Sequence, residues 1–133
     1  MKLDDGTGAF LVTLARSTIE KFFAEGRLRN VPKEHGAIFE TKAGVFVTIS
    51  SVINGGKELR GCIGFPYPDK PLIEAVMSAA VAAATEDPRF PPLMKNELEK
   101  TLFELSVLTP PELIQVKSTK ELPRNIAVGR DGL

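Results

Sequence analysis

Within Leu59-Arg60-Gly61-Cys62-Ile63-Gly64 stand the two residues best suited to chemistry, an arginine and the chain's single cysteine. If the segment is a strand, residues two apart share a face, which places Arg60 and Cys62 together, roughly 6.5–7 Å apart along it. A guanidinium at that range favours thiolate over thiol and would make Cys62 a nucleophile where solvent reaches it. Arg60 could equally clamp a carboxylate or phosphate with its planar fork. Gly61 and Gly64 remove side chains and let a ligand, or another backbone, come close. Each feature has a packing counterpart. Unpaired cysteines are among the most buried residue types, and glycines inside strands also mark bulges or tight packing. An arginine in an otherwise apolar strand needs a partner in either case.

A second candidate set is Asp87, Arg89 and Phe90, with Pro88 among them and Pro91-Pro92 behind. A proline-stiffened loop can present a charged pair to a cleft, or it can be a staple, with Phe90 in the core and Arg89 paired to Asp87 or Glu86. His35, the only histidine, could act as a base toward Cys62, or it could simply be solvated beside Gly36. The spacing of Gly61 and Gly64 matches the loop of KH domains, but that loop lies between helices rather than in a strand. Gly55-Gly56-Lys57 is no phosphate loop, because neither a hydroxyl residue nor a helix follows it. One cysteine and one histidine exclude an internal disulfide framework and a Cys-rich zinc site. No spaced carboxylate cluster replaces them, so no metal site is expected and no cofactor is specified.

The elements that must position these residues belong to one domain, 1–133. Its 43% hydrophobic content is enough to bury a core. Seventeen basic residues balance seventeen acidic ones without a one-sided window, which argues against a nucleic-acid binder and against a polybasic membrane surface. No run approaches the roughly twenty apolar residues of a membrane span, and the N-terminus lacks the order of a secretion signal. The expected setting is reducing and cytoplasmic.

Leu11, Leu14, Ala15, Ile19 and Phe22 recur at helical spacing and predict an amphipathic helix over 7–24, stopped by Gly26. Strands are predicted over 37–41 and 45–53, the latter joined to a return strand over 57–65 by Asn54-Gly55-Gly56. Unbroken alternation puts Val45, Val47, Ile49 and Ser51 beside Arg60, Cys62 and Gly64. Phe46, Thr48, Ser50 and Val52 then lie beside Leu59, Gly61, Ile63 and Phe65. Both faces are largely apolar, so these strands are expected to be central and covered on both sides. Pro66, Pro68 and Pro71, with Asp69, introduce a second helix whose buried stripe is Leu72, Val76, Ala79, Ala80 and Ala83, ended at Asp87-Pro88. A third strand is expected over 102–109, with Phe103, Leu105 and Val107 on one side. Beyond Pro110-Pro111, 113–116 could extend the sheet, Ser118 and Glu121 have capping-box spacing, and 126–128 reads as a strand. Asp131-Gly132 signals a hairpin with only Leu133 after it, so the chain is expected to lack a C-terminal part.

The hexapeptide at 59–64 resembles the signature of the AMMECR family. The similarity extends back through Gly44-Val45-Phe46-Val47-Thr48 and forward through Asp87-Pro88-Arg89-Phe90-Pro91-Pro92-Leu93. It continues in Glu104-Leu105-Ser106-Val107-Leu108 and in the closing Val128-Gly129-Arg130-Asp131-Gly132-Leu133. The resemblance implies an α+β fold, an antiparallel sheet flanked by helices in two lobes around a cleft near the hexapeptide. It implies no established reaction. It also implies partners among Memo-like or radical-SAM proteins, with which family members are often encoded or fused.

Two functions fit. One is a catalytic or small-molecule-binding cleft in which Arg60, Gly61, Gly64, Asp87 and Arg89 hold a small anionic ligand and Cys62 attacks it or lines the pocket. The other is a non-catalytic adaptor for a protein partner, which predicts an exposed apolar patch away from Arg60 and Cys62.

Overall fold

The computed structural model describes residues 5–32 and 36–108. Helix α1, Asp5–Glu25, buries Leu11, Leu14, Ala15 and Ile19 and is one turn or less longer than the sequence predicts. Gly26 ends it at φ +72°, a left-handed turn that its missing side chain permits, with its N–H on the Phe22 carbonyl. Each buried Leu or Ile contributes about 1.5–3 kcal/mol relative to exposure.

Residues Ala37–Glu40 form a short 3₁₀ helix, not the expected strand. Phe39 is the reason: the turn folds it into the core, where its ring meets Phe10 at 4.7 Å. Thr41 and Lys42 leave that turn extended. The Thr41 carbonyl accepts the Leu72 N–H at 2.8 Å, so the start of the next helix is satisfied from outside rather than by Asp69.

Strand β1, Gly44–Ile53, and strand β2, Gly56–Phe65, form the predicted hairpin. Asn54 and Gly55 both take positive φ, 49° and 80°, as the two-residue turn demands. Strand β3, Thr101–Leu108, pairs with the other side of β1, giving an antiparallel sheet in the order β2-β1-β3. Only β1 is central among the described residues.

The ladder between β1 and β2 is broken at one place. Ser50 faces Leu59, but Ile49 faces Gly61, which leaves Arg60 as the extra residue of a β-bulge. One inserted residue reverses side-chain parity beyond it. The face assignment expected from unbroken alternation is therefore wrong from Gly61 onward. Gly61, Ile63 and Phe65 lie beside Ile49, Val47 and Val45 on the helix-covered face, whereas Cys62 and Gly64 lie beside Thr48 and Phe46 on the opposite face.

Helix α2, Leu72–Thr85, is buried nearly all round, including Ile73, Ala75, Met77, Ala82 and Ala84 outside the predicted stripe. It lies between the sheet and α1, so its small residues face neighbours on more than one side. A second 3₁₀ segment, Lys95–Lys100, leads into β3 and places Leu98 in the core. Arg16 of α1 ties down this junction, donating to the carbonyls of Leu98 at 2.7 Å and Thr101 at 2.6 Å while stacking over Phe103.

The result is an α+β fold with both long helices on one face of the sheet. His35 and the features expected at 113–116, 118–121, 126–128 and 131–132 lie outside the described residues.

Candidate functional site

The bulge decides what surrounds Cys62. On the open face, its half-buried Sγ sits 3.2 Å from Thr48 Oγ1 on the neighbouring strand. The neighbours expected from unbroken alternation, Val47 and Ile49, are on the other side of the sheet. The Cys62 amide points off the sheet edge and donates to Asp87 Oδ2 at 3.0 Å.

Asp87 is the hub of this corner. Pro88 turns the chain immediately after it, so the Arg89 backbone N–H returns to Oδ1 at 3.0 Å. The Arg89 side chain closes the ring, with Nε on Oδ1 at 3.1 Å and Nη2 on Oδ2 at 2.8 Å. Only 3% of the Asp87 side chain is exposed, against 55% of Arg89. Hydrogen bonds from the Arg89 side chain, then from the Cys62 amide, hold the Asp87 carboxyl well below the usual carboxylate range. The hydrogen bonds to Asp87 raise the Arg89 pKa. Arg89 and the Cys62 backbone N–H thus share one carboxylate. Arg89 Nη1 makes no hydrogen bond within the described residues.

Arg60 is engaged elsewhere. Nε and Nη2 grip the Glu97 carboxylate at 3.2 and 3.1 Å, while Nη1 and Nη2 donate to the carbonyls of Pro91 at 2.8 Å and Pro92 at 3.4 Å. Its side chain is 13% exposed. The Glu97 pKa is lowered, first by the Met94 N–H at 2.7 Å and then by Arg60. The expected pairing of Arg60 with Cys62 is replaced by a latch between the bulge and the loop that follows Asp87.

The glycines have separate tasks. A Cβ on Gly61 would stand 2.2 Å from the Ala83 carbonyl oxygen, so Gly61 admits α2 to the sheet. A Cβ on Gly64 would stand 2.2 Å from Phe46 Cδ1, so the Phe46 ring covers that position on the open face. Of the residues singled out from sequence, the fold brings together Cys62, Asp87 and Arg89. It gives Gly61 and Arg60 to packing and to the latch. Thr48 and Glu97 were not singled out. Thr48 becomes visible only once the bulge is placed, and Glu97 lies 37 residues from its arginine with no motif between them.

The α+β fold with an antiparallel sheet is what the sequence resemblance implies. The match to the AMMECR1 family covers residues 12–133, and the chain belongs to that family. Among its relatives is a protein of Thermofilum pendens, 47% identical over 99% of this chain and 65% of its own length. Protein MJ0810 of Methanocaldococcus jannaschii is 46% identical over 100% of this chain and 63% of its own. The crystal structure of the uncharacterized protein PH0010 from Pyrococcus horikoshii superposes with a TM-score of 0.87 at 46% identity, over 97% of this chain and 64% of that one. The chain thus spans somewhat less than two thirds of the length of these relatives. No helix among the described residues is long and apolar enough to cross a membrane, and no cluster of potential metal ligands occurs among them.

Proposed function

We propose that this chain binds a small anionic ligand at the corner formed by Arg89, Cys62 and Thr48. The observation that carries this reading is the buried Asp87 carboxylate, which accepts from both the exposed Arg89 guanidinium and the backbone of Cys62, the residue whose thiol meets the Thr48 hydroxyl. A pre-positioned guanidinium loses little freedom on binding, and the Nη1 donors left over by Asp87 suit a carboxylate or phosphate. The Thr48 hydroxyl supplies a second donor, and the Cys62 sulfur forms the soft wall between them. Asp87 positions Arg89. Arg60, Gly61 and Gly64 support the corner through the loop latch, the helix contact and the Phe46 cover.

Titration of the isotope-labelled chain with glutarate and with inorganic phosphate tests the reading. Saturable amide shifts at residues 48, 62 and 89, lost in Arg89→Ala, are expected. Arg89→Ala binding as well as the parent sinks it. A catalytic version, with Cys62 as nucleophile, requires a thiol alkylated faster than a free thiol near neutral pH. A rate at or below that of free cysteine leaves Cys62 as lining only.

A second reading, a non-catalytic adaptor, is favoured by one specific observation. Val52, Leu59 and Leu102 are 43–47% exposed and lie on the open face of the sheet toward the hairpin end. A Memo-like or radical-SAM protein would be the partner. Leu59→Lys with Leu102→Lys should abolish co-purification with such a partner and leave glutarate binding intact. Unchanged co-purification removes this reading.

A further inference from the structure

Among the described residues, strand β2 has an unpaired stretch of edge next to the Cys62 amide that Asp87 and Arg89 hold. Because the Cys62 N–H turns outward to Asp87, Cys62 and Thr48 form a non-hydrogen-bonded pair of the ladder. Alternation then makes Ile63 and Val47 a hydrogen-bonded pair, and Gly64 and Phe46 again a non-hydrogen-bonded one. The carbonyl of Cys62 and both backbone groups of Gly64 therefore point away from β1. Strand β2 is an outer strand among the described residues, and neither Gly64 group has a partner there. Exposed edges are usually blunted by charge, proline or a bulge. Here the bulge at Arg60 and the Asp87 carboxylate close one end, and Pro66 closes the other, leaving a short template of two or three residues.

We infer that this edge takes a short extended peptide by strand addition, with a carboxylate of that peptide held on Arg89. Gly64 would donate to and accept from the peptide backbone, and the Cys62 carbonyl would accept one more N–H. Asp87 already occupies the Cys62 N–H, so the added strand stops there, where the Arg89 cation complements a negative group. Backbone pairing supplies affinity without reading sequence, and the charge fixes direction and register. The inference rests on the anion-binding reading of Arg89 and narrows its ligand from any small anion to a peptide.

The test uses the whole chain and three probes: the peptide acetyl-Val-Thr-Val-Glu, the same peptide methylated on its backbone nitrogens, and glutarate. In the free chain the Gly64 amide is expected to exchange rapidly with deuterium, and the unmodified peptide should slow that exchange and shift its resonance. Backbone methylation should weaken binding roughly tenfold or more, the loss of at least one hydrogen bond. Arg89→Ala should weaken the unmodified peptide by a similar factor. Equal binding of the methylated and unmodified peptides, or of glutarate alone, overturns strand addition while keeping the anion site. A Gly64 amide already protected in the free chain means that another segment occupies the edge, and overturns it too. No binding by any of the three probes removes both proposals.

Discussion

Arg60 and Arg89 divide between them the two tasks that an arginine can perform in this region, and their surroundings tell which does which. Arg60, 13% exposed, donates to a carboxylate and two carbonyls, so it serves as a structural cross-tie. Replacing Arg60 with Ala removes its bonds to Glu97, Pro91 and Pro92 and leaves Glu97 with the Met94 N–H and solvent. The cost should be about 1–3 kcal/mol, read as a lower midpoint in urea unfolding. Arg89, 55% exposed, is also the cation on the buried Asp87 carboxylate, so the same change should lower the midpoint at least as much and abolish anion binding besides. The acid response follows from the carboxylates. Asp87 and Glu97 both titrate below their ordinary values of 3.8 and 4.5 in the folded chain, so the unfolded chain binds protons first. Their contribution is complete at neutral pH and is lost as the pH falls below about 4.5 toward the folded values. Urea midpoints should therefore drop between about pH 5 and pH 2, and Asp87→Asn should flatten that drop. A parallel curve for the variant would contradict the placement of Asp87.

At the scale of elements, periodicity made most of the fold legible. Helix α1, the hairpin, α2 and the apolar side of β3 follow from spacing and turn residues, because a buried face imposes its period on the sequence. Two features did not. The run Ala37–Thr41 has no clear period, and burial of the single residue Phe39 is satisfied by a 3₁₀ turn as well as by a strand. The bulge at Arg60 is hinted at only by the neighbouring Gly61, which fits tight packing equally well, and alternation beyond it remains regular and merely faces the other way. That one break explains why Cys62 was legible as a candidate while its neighbours were not. The Asp87 to Arg89 staple was legible, because a proline between two opposite charges leaves them few other partners. Gly61 tests the packing that follows from the bulge. Gly61→Ala drives a methyl group onto the Ala83 carbonyl, a backbone atom that cannot swing aside. The expected loss is about 3 kcal/mol, the upper part of the overpacking range, measured by thermal or urea unfolding. Gly64→Ala meets a ring that can rotate, so its cost should be smaller and should be relieved in the double variant with Phe46→Leu.

The described residues form a two-sided body. Both long helices and the Arg16 tie load one face of the sheet, while the other carries Phe46, Thr48, Cys62, the Lys57–Glu104 pair and the apolar hairpin end. Exposed leucines there predict a solubility effect without a fold effect. Leu59→Lys with Leu102→Lys should change stability by no more than about 0.5 kcal/mol per site and raise the concentration at which the chain self-associates in light scattering. A large loss of stability would mean that this face is covered in solution. Which face a residue belongs to is set here by a single inserted position. Were Arg60 paired in the ladder rather than bulged out of it, Ile49 would face Arg60 and Val47 would face Cys62, carrying the sulfur from the wet side of the sheet to the oily side and Gly61 in the opposite direction. Pairing at this spot therefore governs the exposure of Cys62 more strongly than the identity of any neighbour, and an engineer grafting the hexapeptide onto another hairpin must transplant the irregularity along with the letters.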